Sequence, residues 1–146
     1  MTNIDVIKEG FAACQAGDFK KLSNMITDDF KLEGPVPEPI GKKEFIGLMT
    51  AMITAFPDWK FNVSDIEEKG DKVFVTTRIS GTQTATLTLP MLPQPVKPTG
   101  KHFQLPAEHQ AITVKNGKMS HYKVDVVPGG GVMGVLSQLG VAMPTH

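Results

Sequence analysis

The chain predicts an α+β fold: a cone-shaped α+β barrel in which about three N-terminal helices pack in a curved, mostly antiparallel sheet, with a short C-terminal helix. Three observations lead there. Phe45, Leu48, Met49, Met52, Ile53 and Phe56 form one apolar stripe at helical spacing, ended by Pro57. After Trp59 the period changes from helical to two. Two turn signals, Lys69-Gly70-Asp71 and Asn116-Gly117, then join β-rich runs into hairpins.

The elements follow in order. Thr2-Asn3-Ile4-Asp5 reads as a capping box opening a helix whose Ile4, Ile7, Phe11 and Cys14 share a face, and Gly17 stops it. Asp18 caps a second short helix carrying Phe19, Leu22, Met25 and Ile26. Asp28 to Glu33 reads as a short strand, and Gly34-Pro35, Pro37 and Pro39 enforce a loop before the third helix.

From Lys60 to Glu67 the alternation is imperfect, which suggests a bulge. Lys72 to Leu89 reads as one long strand with a bulge or bend at Gly81. Strands at Lys101–Lys115 and Lys118–Val127 meet at Asn116-Gly117, a type I′ signal. Pro90, Pro93, Pro95 and Pro98 keep their segment out of a central sheet position. That segment reads as a stiff lid, a subunit contact or a rigid surface loop. Beyond Gly129-Gly130-Gly131, residues Val132, Val135, Leu136 and Leu139 fit a short helix. No phosphate-binding pattern surrounds those glycines.

A chain of 146 residues fits one domain and buries roughly 70% of its unfolded surface. Apolar residues at 40% and charged residues at 21% mark an ordinary globular chain. Fifteen basic residues balance fifteen acidic ones with no basic run, which argues against a nucleic-acid partner. No apolar run is long enough to cross a membrane, and no signal peptide is evident, so a cytoplasmic location is expected. Cys14, the single cysteine, reads as a small core residue.

Phe56-Pro57-Asp58, Gly70-Asp71-Lys72-Val73, Gly81-Thr82, Pro98-Thr99-Gly100-Lys101, Asn116-Gly117-Lys118 and Gln138-Leu139-Gly140 occur in an order that resembles the SnoaL-like polyketide cyclase family. That family belongs to the nuclear-transport-factor-like (cystatin-like) superfamily, and the resemblance covers a single domain over residues 1–146. It implies a conical barrel around one pocket and a homodimer formed through the outer sheet face. The implied chemistry is cofactor-free ring closure by intramolecular aldol condensation. A late aspartate serves as acid/base there with a pocket histidine, acting on a polyketide ester.

An aldol closure needs a base beside a carbonyl and a donor for the enolate oxygen, and a carboxylate desolvated in an apolar cavity is a competent base near neutral pH. Asp125 is the leading candidate, sharing strand parity with His121 and Lys123. If that face is concave, Asp125 and His121 reach a ligand; if convex, they are solvated or make dimer contacts. Alternation from Phe103 and Leu105 puts His109 in the pocket, whereas counting back from Ile112 and Val114 promotes Glu108 and Gln110. A bulge near Pro106 reconciles the two counts. Phe30, Phe45, Phe56, Trp59 and Tyr122 are candidates for the cavity wall, the alternative being plain core. His102 is expected to be exposed, and His146 has no assigned role. The histidines show no metal-ligand spacing, and neither Cys14 nor any serine stands in a nucleophile motif. Three readings remain: a cofactor-free enzyme acting on a small apolar carbonyl compound, a non-catalytic protein holding a small apolar molecule, or an interaction module with a filled interior.

Overall fold

A computed structural model describes residues 2–141. Helix α1 (Asn3–Gln15) opens with a reciprocal cap: Thr2 Oγ1 accepts from Asp5 N–H and the Asp5 carboxylate accepts from Thr2 N–H, each at 3.1 Å. Gly17, at φ 73°, turns the chain into α2 (Phe19–Asn24), capped by Asp18. Strand β1 (Ile26–Glu33) leads through the proline loop and β2 (Ile40–Gly41) to α3 (Lys42–Ala55), whose apolar stripe lies buried. The remaining strands are β3 (Ser64–Lys69), β4 (Lys72–Thr77), β5 (Ser80–Thr82), β6 (His102–Gln104), β7 (Glu108–Lys115) and β8 (Lys118–Asp125), followed by α4 (Gly131–Gln138).

Six strands form one sheet in the order β2-β1-β8-β7-β4-β3, antiparallel except for the β1–β8 pair. A two-stranded extension, β5–β6, stands beside it. Helices α1 and α3 cover the sheet's inner face, and the core fills the space between. Asn116 and Gly117 both take positive φ, as a type I′ turn requires, which sets the β7–β8 register. The expected bulge before Gly70 lies between Ser64 and Glu67, with Asp65 at φ 53°.

Two expected strands are broken. Lys72 to Leu89 is not continuous: β4 ends at Thr77, the chain steps across to β5, and Thr84 then turns away to bond the Ala55 carbonyl. Lys101 to Lys115 is also interrupted, because Pro106 cannot donate to a ladder and Leu105 bonds Ile79 of the extension instead. The prolines between 90 and 98 sit on a loop folded back by a Leu87–Val96 bridge. Gln83, fully buried, staples that loop: its amide donates to the Ala85 and Val96 carbonyls and accepts from Thr99 N–H and O–H. These bonds hold the segment against the body of the fold.

Near the open end of the cone, Gly34 passes so close to the Val124 carbonyl that any side chain would collide with it. The chain then lays Pro35 against the start of α4, where Val132 N–H bonds the Pro35 carbonyl at 3.1 Å. Gln138 clamps the other end of α4 to β6 through two bonds with the Gln104 backbone, at 2.9 and 2.8 Å.

Candidate active site

Between the sheet and its helices lies a cavity of about 80 Å³. Its wall is nearly all apolar: Phe45, Met49 and Met52 come from α3, Trp59 and Phe61 from the segment after it, and Val132 from α4. Three polar side chains from the sheet interrupt that wall: Glu108, Gln110 and Tyr122.

Strand pleat explains which residues reach it. Along β7 the buried positions are Glu108, Gln110, Ile112 and Val114; on β8 their partners Val124 and Tyr122 are buried too. His109, Asp125 and His121 therefore occupy the outer face. This corrects the expectation that Asp125, His109 and His121 converge on a ligand in the interior. The interruption at Pro106 resets the alternation, so counting from Phe103 and Leu105 fails and counting back from Ile112 holds. On the outer face His109 Nδ1 lies 3.1 Å from Thr76 Oγ1, and His121 Nε2 lies 3.3 Å from Glu33 Oε1. Asp125 is exposed beside a shallow groove with Phe74, Glu67 and Asp65.

Of the wall candidates, Trp59, Glu108 and Tyr122 line the cavity, as does Phe45. Phe30 stands behind it, packed on Phe45 at 4.9 Å between ring centres. Phe56 likewise packs on Phe103 at 5.0 Å and supports Trp59 from behind. His102 is exposed and faces Thr82, and His146 lies outside the described residues. The cavity residues that sequence reasoning left in the core include Cys14, whose thiol burial pushes up to about 12.

Glu108 is only 2% exposed. Its Oε1 accepts the Gly131 N–H, the first of α4, at 3.3 Å, while Oε2 is buried with no partner. Desolvation raises its carboxyl above the ordinary glutamate range, and the Gly131 N–H opposes that shift. Tyr122 donates its hydroxyl to Gln110 Oε1, and Gln110 Nε2 donates to Thr77 Oγ1 at 2.5 Å. The Trp59 indole N–H is buried and has no partner among the described residues. No group of three or more His, Cys, Asp or Glu side chains among those residues is placed to hold a metal ion. No helix among them is long and apolar enough to cross a membrane.

The SnoaL-like domain model matches residues 7–122. The chain belongs to the SnoaL-like domain family. Solved structures place the same fold around it. A candidate SnoaL-like polyketide cyclase from Jannaschia sp. CCS1 superposes with a TM-score of 0.72 at 18% identity, over 96% of this chain and 92% of that one. AclR, a candidate hydroxylase from Streptomyces galilaeus, gives 0.72 at 18% identity over 93% of each chain. An NTF2-like protein of unknown function from Cytophaga hutchinsonii gives 0.62 at 17% identity, over 88% and 92%. These likenesses establish an NTF2-like, cystatin-like α+β fold, which by itself does not choose a reaction. No curated protein matches the sequence.

Proposed function

We propose that this SnoaL-like protein binds a small apolar carbonyl compound in its interior cavity and moves a proton on it without a cofactor, closing a ring by aldol addition or shifting a double bond. One observation carries the reading: Glu108 is a carboxyl group held in an apolar wall with one oxygen anchored and the other free. Burial that lifts its pKa makes it a stronger base than a solvated glutamate once ionised, and keeps the protonated form accessible for returning the proton. Anchoring by Gly131 N–H fixes which oxygen does the work. Negative charge growing on the guest's oxygen needs a donor, and the Trp59 N–H, buried in the wall without a partner among the described residues, can supply one. A cavity of this size admits only a small guest, so a multi-ring one needs the adaptable Met49 and Met52 or α4 to give way.

The test is α-proton exchange. Cyclohexanone in deuterated buffer reports base catalysis at carbon without knowledge of the natural substrate. Glu108→Gln should keep the Gly131 bond through its amide oxygen, retain ketone binding, and lower exchange by about a hundredfold or more. Exchange unchanged from wild type would remove Glu108 from the chemistry. A second reading is favoured by the Gly131 bond itself: if Glu108 serves only to latch α4, the protein is a container. Wild type that binds the ketone and exchanges nothing would establish that alternative.

A further inference from the structure

Thr77, Gln110 and Tyr122 form a polar diagonal across three strands in the inner face of the sheet. Gln110 lies on β7 between β4 and β8, two positions from Glu108 and on the same face. Thr77 pairs with Glu108 and Tyr122 pairs with Ile112, so both are diagonal neighbours of Gln110, one on each side. All three side chains are buried, and Gln110 and Tyr122 reach the cavity wall. A glutamine at the centre of such a diagonal costs desolvation in a wall that apolar residues would fill more readily. Its placement calls for a reason.

We infer that Gln110 is a turning amide that switches Tyr122 from a hydroxyl satisfied within the wall to a hydrogen-bond donor for the guest's carbonyl oxygen. In the structure Tyr122 donates to Gln110 Oε1 and Gln110 Nε2 donates to Thr77 Oγ1. Tyrosine carries one proton, so that bond leaves nothing to offer a guest. An amide oxygen and an amide nitrogen are nearly the same size, so a half-turn of the Gln110 carboxamide needs little new space. After the turn Nε2 donates to the Tyr122 oxygen, and the Thr77 hydroxyl donates to Oε1. Every heavy atom keeps its partner, and the Tyr122 proton is released toward the cavity.

Without a guest carbonyl the Tyr122 proton is paired only in the first arrangement and the Thr77 proton only in the second, so the two lie close in energy. A bound carbonyl accepts the Tyr122 proton and favours the turned one. Donation to Tyr122 from Nε2 also polarises its O–H and strengthens the bond it makes to the guest. Burial, with the nearby Cys14 and Glu108 adding to it, holds the phenol well above its ordinary pKa. The proton therefore stays on Tyr122 throughout. During the reaction the α-proton passes to Glu108 Oε2, electron density moves onto the guest's oxygen, and both return when a proton is delivered back to carbon. Gln110 touches neither reacting atom; it is a positioning residue acting through Tyr122.

The kinetic arm of the test rests on Glu108 as base, and the spectroscopic arm does not. Cyclohexanone labelled with ¹³C at the carbonyl is bound to the purified protein, and its C=O stretch is read by difference infrared spectroscopy. A donated hydrogen bond should lower that stretch below its value in hexane for wild type and for Thr77→Ser, which keeps the hydroxyl. Tyr122→Phe should lose most of the shift, Gln110→Glu, whose carboxylate can only accept and so keeps the Tyr122 proton, should lose as much, and Thr77→Val should fall between. Gln110→Glu should also slow α-exchange by about tenfold. Glu108→Gln should abolish exchange while leaving the shift intact, so failure of the base and failure of the switch are distinguishable. An unshifted carbonyl in wild type, or a full shift in Gln110→Glu, overturns the proposal. Should Gln110→Glu not fold, the Thr77 pair decides: equal shifts in Thr77→Ser and Thr77→Val refute the turning amide.

Discussion

Glu108 and Asp125 are near neighbours in the sheet, since Asp125 pairs with His109, the residue after Glu108. Both are carboxylic acids at the same end of the β7–β8 hairpin. One faces a cavity walled by Phe45, Trp59 and Val132; the other faces solvent beside Lys69 and Phe74. A single step of the pleat separates them, and it puts one carboxyl in a desolvating wall and leaves the other exposed. The same step separates His109, paired with a threonine on the outside, from Gln110, the centre of the interior polar diagonal. Strand parity, more than residue type, assigns chemistry in this fold.

The largest effect should come from crowding the inner carboxyl. A Cβ built on Gly130 lies 2.5 Å from Glu108 Oε2, although the Gly130 backbone, at φ −97°, accepts alanine without strain. Gly130→Ala must therefore displace either Glu108 or the start of α4. A loss of about 1–3 kcal/mol in stability is expected from such overpacking, with faster amide exchange along α4. The control is Gly47→Ala on the solvent side of α3, where an added Cβ meets nothing within 4 Å. That change should stabilise by about 0.5–1 kcal/mol, as alanine does in a helix interior. Equal thermal midpoints for the two variants would show that Glu108 is not confined as described.

Protonation should produce a smaller difference between the faces. The folded protein raises the Glu108 pKa from 4.5, the ordinary value, so the native state holds a proton that the unfolded chain has lost. The stabilisation is fully present below 4.5. It declines as pH rises through the interval between 4.5 and the raised value, then levels off. Relative to Glu108→Gln, which cannot ionise, wild type should thus lose stability as pH increases across that interval. Denaturant midpoints of the two proteins measured side by side would reveal the trend, and a difference that is flat or of opposite slope would contradict the desolvated environment.

Much of the architecture was legible because it is local. The Thr2–Asp5 cap, the α3 stripe and the Asn116-Gly117 turn each depend on residues within a few positions of one another. The broken strands were not legible. Whether Thr77 continues straight or crosses to the β5–β6 extension depends on the contact between Leu105 and Ile79, far apart in sequence. The site suffered the same way: a proline at 106 signalled an interruption, but its consequence for parity depends on which sheet each half of the run joins. Counting from the apolar end of β7 was the reliable signal, because Ile112 and Val114 must face the core. Gln83 left no sequence trace at all, since its worth comes from Val96 and Thr99 on the returning loop.

The smallest effect should come from the outer carboxylate, and it is the sharpest check on the comparison. Asp125→Asn changes charge without changing shape at an exposed strand end. Neither a buried partner nor the cavity wall feels the change, so stability should move by less than about 0.5 kcal/mol. Replacing His121 with glutamine should behave alike, because its contact with Glu33 is partly exposed, and such ion pairs contribute about 0–1 kcal/mol. Ketone exchange should stay at the wild-type rate in both. A large loss of exchange in Asp125→Asn, with stability preserved, would mean that the reacting guest lies on the convex side and that the interior carboxyl is structural. Unchanged exchange there, set beside a loss in Glu108→Gln, would locate the base on the inner face by the alternation of one strand.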